Sequence, residues 1–213
     1  MKRTFVGITG ASGHRYATRL IQALVRCGQA VDLCVTGAGA KVLAHELGVG
    51  VPPSSSLADH LIPWLGEDVA RGVRVFPPEA IEAPPSSGTA LTGAVVVCPC
   101  SMGTLARIAA GFSSNLVERA ADVALKEGRP LVLVPRETPL SELHLRNLLE
   151  LTRMGAVCLP AMPGFYHHPR SIDDLVDHVV GKVLDRLGVE HALGARWSGK
   201  LEPPAEPGTG AES

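Results

Sequence analysis

Along most of this chain, short apolar runs alternate with segments whose apolar residues recur at helical spacing. Thr4 to Thr9 is a β-branched apolar run and reads as a first strand. Ala30 to Val35, Val73 to Phe76, Ala94 to Cys98, Leu131 to Val134 and Val157 to Leu159 follow as further strands. After the first run, Tyr16, Leu20 and Leu24 share one helical face with Ala17 and Ile21, and Gly28 stands where that helix ends. Ala40 to Leu47, Leu105 to Ala110, Asn115 to Lys126 and Ser141 to Met154 also read as helices. A last helix opens at Ser171-Ile172-Asp173-Asp174, with a capping serine and an acidic first turn, and ends near Gly188. Ala94 to Cys98 and Leu131 to Val134 are apolar throughout, as strands are when helices cover both faces of a parallel sheet. The alternation predicts a doubly wound α/β domain with a mostly parallel sheet. Ligands of such sheets sit at the C-terminal ends of the strands.

The 213 residues suit one such domain, expected over 1–197, with 198–213 as a mobile tail rich in Pro, Gly and Glu. Pro77 to Thr92 holds four prolines and reads as a long loop, a kind of segment that often carries function. Lys and Arg number 20 against 21 Asp and Glu, so nothing calls for nucleic acid or an anionic membrane surface. The N-terminal apolar run is too short for a signal-peptide core, and no stretch is long enough to span a bilayer. Five cysteines, an odd number lying mostly in apolar runs, predict a reduced cytoplasmic protein.

The candidate chemistry lies at the ends of the strands. Thr9-Gly10-Ala11-Ser12-Gly13 follows the first strand and opens a helix. Its glycines permit a tight turn and close approach to a ligand, and helix-start amides can face a phosphate. It is neither a dinucleotide fingerprint nor a P-loop, so a mononucleotide fits better. Pro99-Cys100-Ser101-Met102-Gly103-Thr104 repeats the design after another buried strand, where Ser101 and Thr104 offer caps and hydroxyls. Cys98 and Cys100 lack a second ligand pair and read as buried thiols rather than a metal site. In Pro135-Arg136-Glu137-Thr138-Pro139, Arg136 can pair with a phosphate and Glu137 can move a proton. Pro160 to Tyr166 places two aromatics at the same sheet edge, and His167-His168 reads as an exposed pair.

Taken together these blocks resemble the UbiX-type flavin prenyltransferases, over roughly Lys2 to Trp197. The most specific stretches are Ile8 to Gly13, Pro99 to Ala106, Asn115 to Lys126 and Leu133 to Ser141. The resemblance implies a single flavodoxin-like Rossmann domain that binds FMN as prenyl acceptor and assembles as a dodecamer with active sites between subunits. It implies a metal-independent reaction in which dimethylallyl monophosphate loses phosphate and its allyl group joins flavin N5 and C6. The product, prenylated FMN, serves UbiD-type decarboxylases. Carried over by motif, Gly10, Ala11, Ser12, Thr36, Ser101, Met102, Gly103, Thr104 and Arg136 are expected to hold FMN. Tyr166, Lys182, Arg119, Lys126 and Ser87 are expected around the dimethylallyl phosphate. Glu137 is the expected proton shuttle, with Glu46 a supporting carboxylate, Ser12 close to the chemistry and Trp197 an aromatic face for the allyl cation. His14-Arg15 departs from the small and apolar residues usual after the first loop. The alternatives are a flavoprotein that decarboxylates peptidyl or pantothenoyl cysteine, and an FMN-storing accessory subunit. Pro163-Gly164-Phe165-Tyr166 and Arg136-Glu137 favour prenyl transfer over the first.

Overall fold

The strands expected from the apolar runs pair into one sheet in a computed structural model that describes residues 3–50, 56–90, 92–194 and 199. Trp197 and, Gly199 apart, the tail expected over 198–213 lie outside these residues. The strands are β1 (Arg3–Ile8), β2 (Ala30–Val35), β3 (Val73–Phe76), β4 (Thr92–Cys100), β5 (Leu131–Pro135) and β6 (Val157–Cys158). Every pairing is parallel, in the order β3-β2-β1-β4-β5-β6. That is the order of doubly wound nucleotide-binding sheets. The winding reverses between β1 and β4, so the loops leaving these two strands lie side by side.

The helices are α1 (His14–Arg26), α2 (Gly37–Leu47), α3 (Leu61–Leu65), α4 (Glu67–Ala70), α5 (Met102–Ala109), α6 (Leu116–Lys126), α7 (Glu142–Arg153) and α8 (Ile172–Leu187). Side chains alternate across a strand, so each strand feeds two cores. Val6, Ile8, Val96 and Cys98 pack with Leu20 and Leu24 of α1, Leu61 of α3, Val69 of α4 and Val180 of α8. Phe5, Val95 and Val97 pack with Leu105 of α5, Leu116 and Ala120 of α6 and Leu151 of α7. The acid in β2, Asp32, is 1% exposed, and Arg3 of β1 and Arg74 of β3 hold it from either side.

Helix starts follow polar caps more closely than apolar periodicity. α2 begins at Gly37 rather than Ala40, because the Thr36 hydroxyl accepts the Gly39 amide. α5 begins at Met102 rather than Leu105, because Ser101 accepts the Thr104 amide. α8 has the expected Ser171 cap and Gly188 terminator. α7 buries only Leu151 in this chain; Leu143, Leu145 and Leu149 are each at least half exposed. The long loop after β3 contains a short 3-10 turn at Pro84–Ser86.

Candidate active site

The loop after β1 turns on Gly13, whose φ of 111° is closed to ordinary side chains. At Gly39, in the first turn of α2, a β-carbon would lie 2.7 Å from the Ile8 carbonyl oxygen, so α2 can start hard against the end of β1. The Gly13 amide is 3.1 Å from both Glu46 carboxylate oxygens, and the His14 amide is 2.9 Å from one of them. The first amides of α1, expected from the sequence to face a ligand phosphate, therefore hold an anion of the chain itself. Burial pushes the Glu46 carboxyl up, but hydrogen bonds from Ser12, His14 and Gly13 outweigh it and hold it below its ordinary range. Ser12 itself is exposed.

The β1 and β4 ends are tied by Thr9, a residue to which the sequence motif assigns no task of its own. The buried Thr9 hydroxyl donates to the Pro99 carbonyl at 2.8 Å and accepts the Ser101 amide at 2.7 Å. Ser101 donates onward to the Thr104 hydroxyl, which also takes a bond from Arg107, whose Nε donates to the fully buried Glu118. Met102 and Thr104 thus turn inward, while Gly103 is exposed and Ser101 half-buried. Cys98 and Cys100 are buried, and burial pushes Cys98 up to about 12, so it stays a thiol at neutral pH. Replacing Thr9 by Val strands the Ser101 amide, while the Pro99 carbonyl keeps the bond it takes from the Thr9 amide at 3.2 Å. The expected loss is about 1–3 kcal/mol, the cost of one unsatisfied group, read as a lowered urea midpoint. An unchanged midpoint would show that water takes over the Ser101 amide.

The loop after β5 reaches across to the loop after β1. Arg136 Nε donates to the Ser12 carbonyl at 3.3 Å, which brings together two of the expected flavin contacts. Glu137 is half-buried beside it and accepts the Thr138 amide at 3.0 Å. A cavity of about 230 Å³ opens here, lined by Arg136, Glu137, Leu148, Pro160 and Met162 among others. Thr36, capping α2 from the end of β2, completes the ring of strand-end residues.

The residues expected to bind the allyl phosphate fall into two groups on opposite faces of the sheet. Tyr166 and Lys182 belong to the β6–α8 side. The Tyr166 ring meets His167 at 5.6 Å and His178 at 5.5 Å, both edge-on, and the Lys182 charge acts on His178. Burial, reinforced by His167 and Lys182, holds His178 below its ordinary value. His168 is exposed as expected, but His167 is not. It stacks on His178 at 4.9 Å, because α8 presents that second ring to the loop. On the other face, Arg119 pairs with Asp122 at 2.9 Å and Lys126 with Glu127 at 3.1 Å, both on or just past α6. The Ser87-Gly88 turn packs on the same helix end, where Arg129 donates to the Gly88 carbonyl.

The Flavoprotein family profile matches residues 1–184. The flavin prenyltransferase UbiX of Pseudomonas aeruginosa is 46% identical over 196 residues, covering 92% of this chain and 94% of the relative. The chain belongs to the UbiX flavin prenyltransferase family. Among solved structures it is similar to AnUbiX in complex with FMN and dimethylallyl pyrophosphate, with a TM-score of 0.82 and 39% identity, covering 93% of this chain and 98% of that one. It is also similar to a dodecameric FMN-dependent UbiX-like decarboxylase of Escherichia coli, with a TM-score of 0.79 and 43% identity over 92% of this chain and 99% of that one. Shared family, strand order and coverage agree with the flavodoxin-like Rossmann class. No helix among the described residues is long and apolar enough to cross a membrane.

Proposed function

We propose that this UbiX-family chain transfers the dimethylallyl group of dimethylallyl monophosphate to reduced FMN, bonding flavin N5 and C6, in the cytoplasm. The prenylated FMN then passes to a UbiD-type decarboxylase. The observation that carries the reading is the meeting of Arg136 with the Ser12 carbonyl beside Glu137, which joins the β1 and β5 ends within this family's sequence blocks. The donor set suits a flavin mononucleotide: an exposed Ser12 hydroxyl, a half-buried Arg136 guanidinium and two helix starts at Thr36 and Ser101. Gly10, Ala11 and Gly103 contribute backbone at the same strand ends.

Reduced FMN, when bound, supplies the nucleophilic N5 and C6 positions. In the transfer, the allylic C–O bond breaks and phosphate leaves with the bonding pair. Lys182 and Tyr166, with Arg119, Lys126 and Ser87, hold that departing charge, which lowers the barrier to ionisation. Trp197 joins Tyr166 as an aromatic face for the allyl cation. Bonding to N5 uses up the allyl cation and releases the N5 proton. A proton added to the remaining double bond makes its tertiary carbon electrophilic, and closure onto C6 then releases the ring proton, which Glu137 accepts, with Glu46 supporting.

The phosphate-binding residues lie on two faces of one sheet, so one chain does not bring them together. Their convergence needs residues of a second copy. The half-exposed leucines of α7, with exposed Met162 and Phe165 at the sheet edge, favour such homo-oligomers. A dodecamer with sites between subunits satisfies both requirements.

The test is anaerobic incubation of the protein with reduced FMN and dimethylallyl monophosphate, followed by mass spectrometry of the released flavin. The expected product is heavier by one C5 prenyl unit. Unmodified FMN, bound but unchanged with the diphosphate donor too, would replace this reading with an accessory or decarboxylating role.

A further inference from the structure

His14 is wholly buried at the first turn of α1. Its Nε2 lies 3.1 Å from the Gly39 carbonyl oxygen of α2. A carbonyl only accepts, so Nε2 carries the hydrogen, and the neutral ring leaves a lone pair on Nδ1. Nδ1 has no hydrogen-bond partner and stands 3.6 Å from Glu46 Oε2. That same oxygen takes the His14 amide, and both Glu46 oxygens take the Gly13 amide. Two acceptors therefore confront one another at the base of the loop that carries Ser12. One added proton turns the repulsion into a hydrogen bond, from an imidazolium to the carboxylate.

We infer that His14 is a positioning residue that acts through Glu46, storing one proton against that carboxylate and thereby setting the charge presented beneath the Gly10–Gly13 loop. The inference rests on reading this loop as part of the FMN site. Without the proton the pair carries one negative charge; with it the pair is neutral, and a nearby phosphate is held more firmly. Linkage is reciprocal, so FMN binding draws a proton onto the pair.

The surroundings of the ring supply few other charges. Glu46 is the charged partner from α2, which also contributes the neutral Gly39 carbonyl. From α1, the Thr18 hydroxyl donates to the His14 carbonyl, and Arg15 turns to Asp173 at 3.8 Å. Burial lowers the His14 pKa from 6.5, against the raising effect of Glu46. A depressed histidine pKa means that the stability it contributes is present above pH 6.5 and is lost as pH falls. The proton is thus taken up on the acid side of 6.5 in the free protein and at higher pH once FMN is bound.

The test is calorimetric titration of the whole protein with FMN near pH 6, in buffers of different ionisation enthalpy, which counts protons taken up on binding. His14→Gln preserves a donor for Gly39 and removes the titratable nitrogen. Glu46→Gln removes the carboxylate without touching the buried ring. The FMN phosphate's own titration is common to all three proteins and cancels in the comparison. The expected result is an uptake that is larger in the unsubstituted protein than in either variant, by up to about one proton per site. A count lowered in Glu46→Gln but unchanged in His14→Gln overturns the role of His14 and spares that of Glu46. Equal counts and equal affinity in all three overturn both. Absence of FMN binding by the unsubstituted protein overturns the flavin site itself. Should His14→Gln fail to fold, the Glu46→Gln comparison still decides, because equal counts there exclude any stored proton.

Discussion

Replacing Glu137 by Gln leaves FMN bound and slows product formation by roughly 10²–10⁴-fold, the usual contribution of a positioned general base. Gln has nearly the shape of Glu and keeps an acceptor oxygen for the Thr138 amide, so the strand-end loop retains its local bond. Arg136 is untouched and still reaches the Ser12 carbonyl. What disappears is the ability to accept a proton as C6 is alkylated. The effect therefore falls on the rate of product formation, measured by single-turnover mass spectrometry. Flavin affinity, followed by fluorescence quenching, stays within a few-fold. Unchanged turnover would assign the proton to another acceptor, with the departing phosphate the obvious candidate. Equal losses of rate and of flavin affinity would mean that Glu137 holds the loop rather than moves a proton.

Much of this arrangement is legible in the amino-acid sequence. β2 and β3 fall on the runs that predict them, and β2, buried along its whole length, writes that length directly into the sequence. The cap at Ser171 is equally plain, since a polar residue before an apolar stripe has a specific task. The strand-end loops stand out as candidate sites because a doubly wound sheet delivers them to one edge. The short helices between Leu61 and Ala70 are not legible, being too short to show a period. Nor are the contacts that make the site rigid. His14 meets Glu46 across 32 residues, and Thr9 meets Ser101 across 92. Polar pairs this distant leave no spacing to read; only folding makes them neighbours. The same holds for the division of Tyr166 and Lys182 from Arg119 and Lys126, which follows from strand order and is invisible in the linear order of the cations.

A second large effect is expected far from any reacting atom, at Arg107. Glu118 has no exposed side-chain surface, and its charge is met by Arg107 Nε on one oxygen and by the Ser114 amide on the other. Arg107→Ala leaves a buried carboxylate with one neutral donor. Breaking a buried pair in this way costs about 3–5 kcal/mol, and the half-exposed guanidinium places this one near the lower figure. In a domain of this size roughly 3 kcal/mol lowers Tm by about 6–12 °C, provided protein concentration is held fixed across an oligomer. The damage reaches the site because Arg107 also donates to Thr104, the partner of the Ser101 hydroxyl that caps α5. FMN affinity falls together with stability. Adding Glu118→Gln to Arg107→Ala removes the stranded charge while keeping an acceptor for Ser114. The double variant is expected to regain more than half of the lost Tm. If it melts no higher than Arg107→Ala alone, the cost lies in lost packing of the arginine stem rather than in the buried charge.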